Sequence, residues 1–139
     1  MQNRLSSAIT TMPQSGIRRV AEQARGIPGC ISLTLGEPAF DTPQPIREAT
    51  KAALDQGHTH YPPNAGIPAL REAIATHESR HYASPLAADN VLVTAGSTEA
   101  LACAFFAILE PGDEVIVPVP ALWLYAQQIH MARGVFLPL

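Results

Sequence analysis

A parallel α/β fold, with strands covered by helices and an arm and helices ahead of them, is what this sequence predicts. Three observations carry the prediction. From residue 90 onward, strand-like and helix-like patterns alternate. The three strand runs in the second half, 90–95, 114–119 and 135–139, are mostly apolar, as strands buried on both faces are. Nearly half of the 139 residues are apolar, enough to bury a core of one ordinary domain.

The elements follow in order. Residues 1–13 show no clean period and end at Pro13, which reads as an arm. Ser15 is placed to cap a short helix with Ile17, Val20, Ala21 and Ala24 on its apolar face, closed by Gly26 and Pro28. Cys30 to Leu35 reads as a short extended run, broken by GEP at 36–38. A helix is expected over 44–56, entered through Thr42 and two prolines and stopped by Gly57. The segment HTHYPPNAG at 58–66 has loop composition, and Pro68 opens a helix running to about Tyr82. Then come a strand at 90–95, an apolar helix from Ser97 to Leu109, the turn EPGD, and a strand at 114–119. A helix over about 122–132 leads to a last strand at 135–139. A parallel strand in that position expects more sheet beyond it.

Charge and cysteine usage exclude several function classes. A formal charge of −3 with nine Lys and Arg leaves no basic surface for tracking a nucleic-acid backbone. No apolar stretch reaches the roughly 18 residues that span a bilayer. Cys30 and Cys103, far apart and set among apolar neighbours, read as buried thiols of a reducing compartment, so a cytoplasmic protein is expected.

Two local patterns carry chemistry. TAGSTEAL at 94–101 follows a predicted strand and opens a helix, where unpaired amides and the helix dipole favour an anion. Gly96 permits the sharp turn, and the amides and hydroxyls of Ser97 and Thr98 can donate to phosphate oxygens. An ordinary capped helix start, with a glutamate in its first turn, competes for the same residues. The second pattern, HESRH at 77–81, satisfies HExxH, which sets His77 and His81 on one helix face as zinc ligands with Glu78 as general base. It lacks a recommended third ligand, so a zinc hydrolase is the rival reading and a surface histidine pair the plain one.

Four segments in order resemble the class I and II aminotransferases, the fold type I family that uses pyridoxal 5'-phosphate. They are SLTLGEPAFDTP (32–43), YPPNAGIPALREAIA (61–75), VLVTAGSTEALACAFFAILEPGDEVIVPVP (91–120) and the less regular ALWLYAQQIHMARGVFLPL (121–139). The resemblance implies residues 1–40 as an arm and small-domain segment, and 41–139 as an incomplete large, coenzyme-binding domain. It implies amino acid and 2-oxo acid substrates and a homodimer. It also implies a role for single residues: Gly36 beside the substrate carboxylate, Tyr61 reaching the phosphate of the partner's coenzyme, and Ser97 and Thr98 with Gly96 at the phosphate. The family's ring-stacking aromatic falls at Leu122 here, with Trp123 one residue off that register, so either side chain is a candidate for the ring.

The lysine, acidic residue and arginine that carry the family's reaction lie, by the same resemblance, beyond residue 139. Lys51 is the only lysine present, set in a helix pattern as a solvated surface residue. The 139 residues alone are therefore expected to be inactive, and a non-catalytic binding or dimerisation module is the third reading.

Overall fold

The computed structural model describes residues 4–12, 15–34 and 36–139. Pro13, expected to end the arm, and Leu35, expected to end the first extended run, lie outside them. The helices and strands are α1 (Ser7–Thr10), α2 (Gly16–Ala24), α3 (Gln44–Asp55), α4 (Pro68–His81), α5 (Ser97–Ile108), β1 (Glu114–Val117), α6 (Trp123–Met131) and β2 (Val135–Pro138). A 3-10 turn at Ala88–Asn90 precedes α5. Among the described residues, five of the six helices and both strands thus stand where the sequence pattern puts them. The single turn of α1 falls in a segment read as an arm.

Two compact units divide the chain: residues 1–41 with 102–139, and residues 42–101. In the first, β1 and β2 pair in parallel, Glu114 opposite Val135 and Val117 opposite Pro138, joined by the α6 crossover. A glutamate–proline–glycine–aspartate turn feeds β1, closed by the Asp113 carboxylate accepting from the Glu110 amide at 2.8 Å. Ile129 of α6 is fully buried, with Gln128 and Ala132 buried beside it. After α6, the Arg133 amide donates to His130 and the Gly134 amide to Ile129, the paired bonds that close a helix end, with Arg133 at φ 68°.

In the second unit, α4 packs on the 3-10 turn and buries Ala75. The half-buried Arg71 of α4 donates from Nε to the Val91 carbonyl at 2.9 Å, and its Nη2 pairs with Asp89 at 3.2 Å. Residues 91–94 do not form the expected strand. Their ladder has no neighbouring strand among the described residues, and one backbone bond, Val93 amide to Ala65 carbonyl at 3.0 Å, takes its place.

The cysteines depart from expectation too. Cys30 and Cys103 are free and exposed, not buried, because Cys30 lies in irregular chain and no residue of the apolar α5 is buried. No helix is long and apolar enough to cross a membrane among the described residues.

Candidate coenzyme site

The turn at 94–97 is aimed by the loop that precedes α4. Residues 91–94 are held from both sides, Val91 by Arg71 and Val93 by Ala65, so the chain enters the turn on a fixed course. Gly66 is where the two segments meet: a Cβ there would come within 2.6 Å of Val93 Cγ2. Loop 58–66 and the turn are thereby tied together.

Gly96 turns at φ 85°, a left-handed conformation that side chains resist, and an added Cβ would meet nothing within 4 Å. Its glycine serves the turn's conformation and leaves open space at the helix start. The turn satisfies part of itself: the Gly96 amide donates to the Thr94 carbonyl at 2.8 Å, and Thr94 Oγ1 donates to the Gly96 carbonyl at 3.0 Å. The Glu99 carboxylate accepts from the Ala95 amide. That is a helix cap, but a displaced one, because the residue three before Glu99 is Gly96 and has no side chain to reciprocate. The Ala95 and Gly96 amides are thus occupied within the turn. The Ser97 amide has no acceptor among the described residues, and residues 95–100 are exposed. What remains is a solvent-facing start to a helix of twelve residues, where the Ser97 N–H has no acceptor among the described residues and the Ser97 and Thr98 side chains stand at the first turn, the end of the helix whose dipole favours an anion.

Tyr61 stands in the same unit on the loop tied to the turn. It is fully exposed, beside Thr59 and His60 along a shallow cavity. Its phenol has no hydrogen-bond partner among the described residues.

The other unit gathers Gly36, Leu122 and Trp123 around one cleft of about 300 Å³. Leu122 caps α6 in extended conformation, so Trp123 begins the helix, and consecutive side chains at that junction both reach the cleft. Leu122 against Trp123 is therefore not an exclusive choice for lining this space. Pattern reading missed Arg18, which lines the cleft from α2. A signal was available: a cation in the first turn of a helix opposes the dipole.

His77 and His81 stack, ring centroids 6.3 Å apart and planes 7° from parallel, with Tyr82 edge-on to His81 at 4.8 Å. Among the described residues, no three or more His, Cys, Asp and Glu side chains gather where they could hold a metal, so the zinc reading gains no third ligand. Lys51 pairs with Glu48 at 3.0 Å on the exposed face of α3, away from any pocket described, as a surface lysine should.

Residues 28–138 match the family model for aminotransferase class I and II. The chain is 45% identical over 130 residues to the aspartate aminotransferase of Pyrococcus horikoshii, covering 94% of this chain and 33% of that protein. It is 39% identical to aromatic-amino-acid aminotransferase 2 of Thermococcus litoralis, over 94% of this chain and 34% of the other. Among solved structures, aspartate aminotransferase from Thermus thermophilus with maleate superposes at a TM-score of 0.91, with 39% identity, over 98% of this chain and 37% of that one. The chain spans about a third of the length of these relatives.

Proposed function

This chain belongs to the class I and II aminotransferases and has their fold type I architecture, and from that premise we propose that it supplies the phosphate cradle and one wall of the substrate cleft in a pyridoxal-phosphate-dependent enzyme moving amino groups between amino acids and 2-oxo acids. The observation that carries the coenzyme assignment is the open turn at Gly96, with the Ser97 amide unfilled at the start of an exposed helix. In this reading the Ser97 amide and the Ser97 and Thr98 hydroxyls hold the phosphate. Trp123 and Leu122 flank the ring, and Gly36 leaves the approach of the substrate carboxylate clear.

The coenzyme, when bound, supplies an aldehyde carbon for the amine and a pyridine ring that accepts electron density from the substrate's α-carbon. The residues of this chain bind and orient. Donors fixed by the turn hold a dianion without reorganising, and the apolar faces of Leu122 and Trp123 exclude water from one side of the ring. Tyr61, exposed and without a hydrogen-bond partner among the described residues, suits a neutral hydrogen bond to a second subunit's phosphate, so the enzyme is proposed as a homodimer. The division near residue 40 between small-domain and large-domain segments belongs to the same reading. A cytoplasmic setting keeps the exposed Cys30 and Cys103 reduced.

Equilibrium dialysis tests the cradle. The 139-residue protein is expected to retain pyridoxamine 5'-phosphate at least about tenfold more tightly than pyridoxamine, a difference of about 1.4 kcal/mol. The Ser97→Ala, Thr98→Ala double variant is expected to lose most of that margin. Equal retention of the two amines contradicts the assignment.

A further inference from the structure

Arg71 of α4 is placed to do more than decorate its helix. Its side chain is 16% exposed, against 96% for Asp89, the carboxylate it pairs with. A pair whose one member is that open to water holds a side chain weakly. The firmer grip is on the backbone, where Nε donates to the Val91 carbonyl at 2.9 Å from a partly buried position. Because a guanidinium presents divergent donors in one plane, a single Arg71 makes this bond and the Nη2 contact to Asp89 together. Val91 opens the run 91–94, which has no neighbouring strand among the described residues. That bond and the one from the Val93 amide to the Ala65 carbonyl therefore set the run's course into the turn at Gly96. Ser79 makes a second tie from α4 to the chain beyond it: its hydroxyl accepts from the Leu86 amide at 2.8 Å and donates to the Leu86 carbonyl at 3.3 Å. That tie closes on Leu86 and leaves 91–94 alone.

We propose that Arg71 is a positioning residue for the coenzyme phosphate: by gripping the Val91 carbonyl it fixes the approach of 91–94, and with it the direction of the Ser97 amide at the helix start. The inference rests on the phosphate-cradle reading for the ligand, and on Arg71 for what aims the cradle. In this role Arg71 need touch neither coenzyme nor substrate. Donors that must be reordered when a dianion arrives give up part of their value, whereas donors already aimed do not. A run of chain without a ladder partner is free to take several courses. A charge-assisted bond to its first carbonyl, roughly twice as strong as a neutral one, removes that freedom.

Two readouts on the 139-residue protein test this. Dialysis against pyridoxamine 5'-phosphate and pyridoxamine gives the margin owed to the phosphate, and hydrogen exchange at the Ala95 and Gly96 amides, both bonded within the turn, reports on the turn itself. Arg71→Gln is expected to cut the margin by about fivefold or more and to quicken exchange at both amides, as the loss of one charge-assisted bond should. Arg71→Lys, which keeps the charge but not the two divergent donors, is expected to lose less. Asp89→Asn is expected to hold the margin within about twofold, because its side of the pair is exposed. Ser79→Ala, which loosens α4 away from the turn, is expected to lower the thermal midpoint and leave margin and exchange as they are. If Arg71→Gln loses its helical circular dichroism, the Arg71→Lys result decides. A full margin in the folded Arg71 variant, or an equal loss of margin in Ser79→Ala, overturns the proposal. Where the unsubstituted protein retains both amines equally, the cradle reading fails, and exchange decides for Arg71: quickened exchange supports its hold on the turn, and unchanged exchange overturns it.

Discussion

Gly66 and Val93 show how a single contact aims the turn at Gly96. The Val93 side chain lies where a Cβ on residue 66 would be, 2.6 Å from it, and the Val93 amide is bonded to the neighbouring Ala65 carbonyl. Gly66→Ala forces a methyl into that space at a backbone φ of 104°, an overpacking cost of about 2 kcal/mol or more. Hydrogen exchange at the Val93 amide is then expected to quicken by about thirtyfold, since each 1.4 kcal/mol is a factor of ten. Unchanged protection would show that the contact does not hold the segment. Sequence pattern made Gly96 legible, because a glycine between a strand-like run and a helix has a local geometric reason. Gly66 read only as loop composition: its constraint comes from a residue 27 positions away, and no local window contains it.

At the scale of elements, the helices were legible because their signals are local. The Ser15 side chain accepts from the Arg18 amide, Pro45 stands in the first turn of α3, and Pro68 begins α4, as their sequence neighbours dictate. Strands are different, since a ladder is a property of two segments. The run NVLVTA has strand composition, yet residues 91–94 find a single backbone bond to Ala65, while β1 and β2 find each other. The turn of α1 was hidden for another reason: four residues are too few to show a period. Ser15→Ala removes the α2 cap and is expected to cost about 1 kcal/mol of local helix stability, read as lost ellipticity at 222 nm. It should also loosen Arg18, whose backbone that cap holds. Full retention of helix would mean that tertiary contacts, not the cap, set the start of α2.

Over the whole molecule, burial is thin. Ile129 is fully buried and Ala75 and Ala132 nearly so, while Leu33, Phe40, Ile108 and Tyr61 stand largely open. The apolar α5 has no buried residue, although its composition is that of a core helix. This is also why the cysteines were misread: apolar neighbours in sequence imply burial only where a second layer of structure covers them. The family was legible because the four motifs occur in order, whereas Arg18 belongs to none of them and emerges from the fold that sets α2 beside the α6 entry.

The central claim is that the turn at Gly96 receives the phosphate of the coenzyme, and amide NMR addresses it most directly. On titration of the 15N-labelled protein with pyridoxamine 5'-phosphate, the largest amide shifts are expected at Ser97 and Thr98, with little change when pyridoxamine is added instead. Shifts confined to other segments, or the same shifts from both amines, would contradict it.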